Sequence, residues 1–193
     1  MAQTKYFMKN KITISLCMIV LNEEKFLEKS LKNTSKYVDE IIIIDGGSVD
    51  KSIEIAKKFK AKVITNKWSE DFAKQRNFSL KFATKDWILI IDADEIYEKK
   101  LLDSLQKLAI NNMGVDAIAF PRKNYIDGKQ TDAYPDRQTR FFVNNKKIHY
   151  IDKVHEKVVG WKMIASPSDM NIIHKKTSAR QNLQNKYYNK IIN

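Results

Sequence analysis

The chain opens on a run of ten uncharged residues, "ITISLCMIVL" at 12–21, with apolar side chains at both odd and even positions. A strand with one wet face would alternate, so this pattern predicts a strand buried on both faces. From 23 to 38 the period lengthens to that of a helix, with Leu27, Leu31, Thr34 and Val38 on one face. "DEIIIID" at 39–45 predicts a second buried strand, and "GGS" then turns the chain into a second helix. For that helix the expected N-cap is Ser48, with Asp50 in the first turn and Val49, Ile53, Ala56 and Phe59 toward the core. "AKVIT" at 61–65 predicts a third strand, 69–84 a third helix and 86–91 a fourth strand. Repeated strand–helix alternation calls for a parallel sheet covered on both faces, whose ligands bind at the carboxyl ends of the strands. Asp45 and Asp92, which end the second and fourth strands, are therefore expected at one rim.

Beyond a helix predicted at 98–110 the rhythm changes. "VDAIAF" and "TRFFV" read as strands, separated by a polar segment with Pro121, Gly128 and Pro135, so this half is expected to be irregular and to shape a substrate pocket. "SARQNLQNKYYNKIIN" at 178–193 predicts an amphipathic helix with Leu183, Tyr187 and Ile191 on one side; it ends abruptly, as a trimmed chain would. No linker or repeat interrupts the chain, which is read as one domain.

Charge narrows the partners. Lysine and arginine number 35 against 23 acidic residues, a formal charge of +12. Nucleic acid, an anionic membrane face and a phosphorylated small molecule would all answer it. A non-catalytic nucleic-acid-binding domain would cluster basic residues among exposed aromatics. Here the lysines are scattered along helices, with local concentrations only in "NNKKIHY" and from Lys175 onward, which suit a membrane face or a phosphorylated acceptor equally. Cys17 is the lone cysteine and suits a reducing compartment. No apolar run approaches the ~20 residues of a membrane-spanning helix, and "MAQTKYFMKNK" has no apolar stretch of a secretory signal. The expected site of action is the cytoplasm.

The fourth strand ends in three carboxylates, "DWILIIDADEIY", at Asp92, Asp94 and Glu95. In an extended chain Asp92 and Asp94 point the same way, toward a common cation such as Mg²⁺ or Mn²⁺ that a phosphorylated donor would share. The plainer alternative is that both cap the next helix. Asp45 before Gly-Gly is likewise ordinary turn chemistry on its own. Arg76 falls inside an apolar helical arc of Phe72, Ala73, Leu80 and Ala83, so its guanidinium needs either a rim carboxylate or a ligand phosphate. "HEKVV" lacks the second histidine of a zinc protease, Val159 standing there, which makes His155 a positioning or core histidine. A phosphatase of the haloacid-dehalogenase type is disfavoured, because the acidic pair ends the fourth strand and Ile96 stands where that motif has Thr or Val.

"ISLCMIVLNEEKFLEKSL", "VDEIIIIDGGSVDKSIEIA", "DFAKQRNFSLKFATKDWILIIDADE", "RFF" and "VHEKV" together resemble a family-two glycosyltransferase, over about residues 12–175. The nearest branch builds lipopolysaccharide cores and other bacterial glycans. The resemblance implies an α/β GT-A fold, a Rossmann-like, mostly parallel sheet flanked by helices. After a tail at 1–11, a nucleotide-binding half at 12–97 precedes an acceptor-side half at 98–175 and a C-terminal helix at 176–193. It implies that Asp45 binds the nucleoside, that Val20, Asn22 and Glu23 line the nucleotide pocket, and that Asp71 and Arg76 approach the base and diphosphate. Asp92 and Ala93 would lie by the ribose and metal, and Asp94 would ligate Mn²⁺ or Mg²⁺. His174 either closes over the metal or diphosphate or is structural. "DGGS" lacks the second aspartate of many relatives. The reaction implied is inverting transfer from a nucleotide-sugar, UDP-linked in the commonest case, to a glycan, lipid-linked or protein acceptor, with possible peripheral contact at the inner membrane face and no nucleic acid involved. Such transfer needs one carboxylate base, assigned to Glu156 with Asp136 second.

Overall fold

A computed structural model describes residues 11–111 and 114–192. The stretch read for a signal lies almost wholly outside them. The first half forms β1 (Ile14–Val20), α1 (Glu24–Thr34), β2 (Glu40–Asp45), α2 (Ser52–Lys58), β3 (Lys62–Thr65), α3 (Phe72–Leu80) and β4 (Trp87–Ile90). These strands pair in parallel in the order β3-β2-β1-β4. On one face Ile14, Leu16, Met18 and Val20 of β1 pack with Leu27 and Leu31 of α1 and Ile55 and Ala56 of α2. On the other, Cys17, Ile42, Ile44, Ile88 and Ile90 meet Ala73 of α3. Both faces are dry, which is why the strands show no polar alternation; each fully buried aliphatic side chain contributes about 1.5–3 kcal/mol.

The second helix starts three residues later than expected, and Ser48 does not cap it. Asp45 accepts from the N–H groups of Gly47 and Ser48 and holds the chain in a loop, and Asp50 Oδ1 then accepts from Ser52 N at 2.9 Å where α2 begins. Val49 is consequently 92% exposed rather than part of the core, and Ile55 joins Ala56 on the buried side.

The second half is less irregular than expected. It comprises β5 (Glu95–Tyr97), α4 (Lys99–Ile110), β6 (Ala117–Ile126), β7 (Lys129–Gln130), β8 (Asp136–Val143), β9 (His149–Ile151), β10 (Lys157–Val159), β11 (Ile164–Ala165), β12 (Ile172–Lys176) and α5 (Ser178–Ile192). The sheet continues as β4-β8-β6-β12-β5, mixing antiparallel and parallel pairs. Pro121 lies inside β6, between the segment that pairs with β11 and the segment that pairs with β12. Along that edge its missing N–H has no ladder partner to lose. β9 and β10 form a separate hairpin against α3, tied by Asn77, whose side chain bonds both N and O of Tyr150 at 2.8 Å. Gly160 follows β10 at φ +88°, where any Cβ would lie 1.8 Å from the carbonyl oxygen of Lys147.

No residue of α5 is buried, and Leu183, expected on its packed side, is 69% exposed. Aromatic contacts hold the helix instead. Tyr187 hydrogen-bonds Trp68, and the Tyr188 ring stands edge-on to Phe72 and His155 at 5.6 and 5.3 Å. Among the described residues no helix is long and apolar enough to cross a membrane.

Candidate active site

A cleft of about 1250 Å³ opens where β1 and β4 end, roofed on one side by α5. That volume exceeds the range of ~300–1,000 Å³ common for one small ligand, leaving room for two substrates. It is lined by Val20, Asn22 and Glu23 after β1, Arg76 on α3, Asp92, Ala93 and Asp94 after β4, Asp136 on β8, Glu156 before β10, and His174 on β12. Of the residues expected at the site, Asp45 and Asp71 are not brought to it. Asp45 is buried with its carboxylate spent on the Gly47 and Ser48 amides, and Asp71 caps α3 by accepting from Lys74 N at 2.8 Å and lines a separate depression. The missing second aspartate has a steric counterpart: a Cβ at Gly46 would sit 3.3 Å from Trp68 Cβ, and Trp68 itself lines the cleft. Asn22 turns the chain at φ +57°, a left-handed conformation asparagine tolerates, and its Oδ1 accepts from Val49 N.

Asp92 and Asp94 have different side-chain partners. β4 ends at Ile90 and the chain turns over 92–95, closed by Glu95 N donating to Asp92 O at 3.0 Å, so the two-residue alternation of a strand no longer applies. Asp92 faces two arginines, Arg76 Nη2 at 2.7 Å and Arg140 Nη2 at 2.6 Å, one to each carboxylate oxygen. Burial alone would raise its pKa, but Arg140 and then Arg76 outweigh that and hold it well below the carboxylate range. Both Asp92 carboxylate oxygens are thus occupied by arginine. Arg76, 4% exposed, also donates through Nε to Glu156 at 2.6 Å, which settles its two options in favour of carboxylates.

Three members of this network carry no role in the sequence reading. Glu95 is fully buried and accepts from Arg140 at 2.9 Å, Arg122 at 3.0 Å and Asp92 N at 3.2 Å. Arg122 continues to Asp136 at 2.7 Å. The signal that exposed Arg76, a guanidinium among apolar neighbours, is also present for Arg140 in "TRFFV". Of the two alternatives for His155, the core one is excluded: it is exposed at φ +58° and packs on Tyr188.

Asp94 meets His174 instead, Oδ2 to Nε2 at 3.3 Å. Arg180 of α5 reaches the same carboxylate at 3.2 Å and Glu23 at 2.8 Å. Burial raises the pKa of Glu23 against the opposing pull of Arg180, whereas for Asp94 the contact with His174 overcomes burial and lowers it. Among the described residues no group of three or more His, Cys, Asp or Glu is arranged to hold a metal by itself. The donor set nonetheless fits a shared one. His174 Nδ1 lies 2.8 Å from Asn124 Oδ1, which can only accept, so Nδ1 carries a proton and Nε2 is the ring nitrogen left facing the Asp94 carboxylate. A carboxylate and an imidazole nitrogen facing each other are donors that fit a divalent cation, in the place where Arg180 now supplies positive charge, and Mg²⁺ and Mn²⁺ are commonly held by one or two protein ligands plus substrate phosphates.

The candidate bases differ in freedom. Asp136 accepts from Arg122 Nε and Nη2, Asn124 and Gln138, whereas among the described residues Glu156 has Arg76 as its hydrogen-bond partner. Of the two, Glu156 is the one with a carboxylate oxygen, Oε2, that has no hydrogen-bond partner among the described residues.

Comparisons with known proteins bear on the fold and the family. The chain is 35% identical over 146 residues to a TPR repeat-containing protein of Synechococcus elongatus, an alignment covering 75% of this chain and 35% of that one. It is 33% identical over 153 residues to the SPbeta prophage-derived glycosyltransferase SunS of Bacillus subtilis, covering 77% and 35%. The chain thus spans about a third of the length of these curated relatives. The fold is GT-A: S. aureus TarS 1–349, in complex with UDP-GlcNAc, superposes with a TM-score of 0.68 at 17% identity, covering 86% of this chain and 59% of that one. The family model of glycosyl transferase family 2 matches residues 15–168, and the chain belongs to that family.

Proposed function

We propose that this domain transfers a sugar, with inversion, from a nucleoside-diphosphate sugar to an acceptor hydroxyl, with Mg²⁺ or Mn²⁺ as cofactor. The observation that carries the reading is one cleft holding both an Asp94–His174 pair that fits a divalent cation and a separate carboxylate, Glu156, fixed by Arg76. UDP is the first-choice nucleotide, supported by the UDP-GlcNAc complex of TarS.

In the reaction Glu156 takes the proton of the acceptor hydroxyl as its oxygen bonds the anomeric carbon. The bond from that carbon to the diphosphate breaks on the opposite face, and its electron pair leaves with the phosphate oxygen. A bound divalent ion would supply Lewis-acid neutralisation of the departing diphosphate, with Asp94 and His174 as its protein ligands. Arg180 and Lys176 line the same part of the cleft and add fixed positive charge for it. Arg76 and Arg140 act one step back, holding Glu156 and Asp92 in place. The acceptor belongs with bacterial glycans, lipopolysaccharide cores first among them, and the exposed Lys146 and Lys147 suit an anionic membrane face.

The test is a thermal-shift panel of UDP, GDP, CMP, dTDP and ADP, each with Mn²⁺, Mg²⁺ or chelator. A ligand at about 100 times its dissociation constant adds roughly 2.7 kcal/mol of stability. Stabilisation by UDP that chelator abolishes is the expected result. Silence toward every nucleotide would remove the donor reading.

A further inference from the structure

Resting on the reading of Asp94 and His174 as the metal pair, we propose that Asn124 is a positioning residue that sets the cation affinity of that pair. It locks the His174 ring in one tautomer and aims Nε2 at Asp94. The device crosses three neighbouring strands. Asp136 on β8 lies opposite Arg122 of β6, and Asn124 of β6 lies in register with His174 of β12. Asp136 Oδ2 accepts from Arg122 Nε at 2.9 Å, from Nη2 at 2.7 Å and from Asn124 Nδ2 at 2.9 Å. Its Oδ1 accepts from Gln138 at 2.7 Å.

A carboxylate beside a guanidinium stays ionised and has no proton to give, so the asparagine amide has one possible orientation. Nδ2 must face Asp136, and Oδ1 must face His174 Nδ1, 2.8 Å away. That oxygen in turn demands N–H at Nδ1, which leaves Nε2 as the ligating nitrogen 3.3 Å from Asp94. Every element sits on paired strands rather than on loops, so the ring has little freedom to turn. Asp136 thus gains a role different from the base expected of it: it orients the residue that orients the ligand. Outer partners of this kind typically change metal affinity by about 10–100-fold when removed.

The experiment compares wild type with Asn124→Leu, likewise branched at Cγ but unable to make either bond, and with Asn124→Asp, which keeps an acceptor against Nδ1. Mn²⁺ affinity is measured by calorimetry in the presence of UDP, UDP affinity is measured in chelator, and ¹⁵N shifts of the His174 ring are recorded without metal at mildly alkaline pH. The expected result is Nδ1–H in wild type, a mixed or reversed tautomer and about 10–100-fold weaker Mn²⁺ binding in Asn124→Leu, unchanged UDP affinity in chelator, and recovery of the Nδ1–H tautomer in Asn124→Asp. Mn²⁺ affinity and tautomer both unchanged in Asn124→Leu would overturn the proposal while leaving the metal reading intact. If wild type takes up no Mn²⁺, the metal reading itself fails, and the proposed effect on cation affinity fails with it.

Discussion

Glu156 and Asp136 are both carboxylates on the same cleft wall, and what separates them is how many donors each already serves. A general base must offer an oxygen to the proton it takes. Asp136 has four N–H donors upon it and a lowered pKa, burial being outweighed by Arg122, Asn124 and Gln138, whereas Glu156 answers to Arg76. Glu156→Gln keeps an oxygen for Arg76 Nε and should leave donor affinity within about twofold, while lowering kcat by roughly 10²–10⁴-fold, the usual contribution of a positioned base. Turnover close to wild type, measured by release of the nucleoside diphosphate, would take the role away from Glu156. Arg76 was legible in the sequence because a charge inside an apolar arc needs a partner; which carboxylate answers it was not, because Asp92 and Glu156 lie 16 and 80 residues away.

Elements differ in the same way. β1, β2 and β4 could be read from sequence because burial on both faces removes polar alternation, a local property. The order β4-β8-β6-β12-β5 could not, because it is fixed by pairings between distant segments. The apolar periodicity of α5 misled for a related reason: a stripe of Leu183, Tyr187 and Ile191 means a packed face only if a partner surface exists, and the helix instead lies over a cleft. Its fixings include Thr177 Oγ1 accepting from Arg180 N at 3.2 Å, Ser178 bonding Asp127, the Trp68–Tyr187 bond, the Arg180 and Lys190 ion pairs and the Tyr188 ring contacts. Each edge-on aromatic pair is worth about 0.5–1.5 kcal/mol. Tyr188→Ala, losing two of them, should raise amide exchange across 178–192 on the order of tenfold and leave β1, β2 and β4 unchanged. Equal protection in mutant and wild type would mean that the rings do not anchor the helix.

For the molecule as a whole, a surface of formal charge +12 encloses a cleft whose carboxylates are neutralised by arginine, and that contrast makes stability depend on acid. Asp92, Asp94 and Asp136 all have folded pKa values below the ordinary range, burial being overcome by Arg140 and Arg76, by His174 and by Arg122 respectively. A depressed carboxylate adds stability above its unfolded pKa of about 3.9, and that stability is lost as pH falls through the folded value. In that window the unfolded chain binds more protons, each adding a slope of about 1.4 kcal/mol per pH unit, so the three together reach at most about 4. Glu23 works in the opposite sense, because its raised pKa makes its proton uptake begin at higher pH in the folded state. Growing net positive charge also destabilises acidified protein, but it does so for any variant of similar charge. The discriminating measurement is therefore the urea midpoint followed from about pH 5 to pH 2 for wild type and Asp136→Asn. The variant should start less stable, having lost its pairing with Arg122, and should decline less steeply by up to about 1.4 kcal/mol per pH unit. Parallel curves would show that Asp136 takes up its proton in the folded and unfolded chain alike, and that the Arg122 contact at 2.7 Å does not hold it ionised.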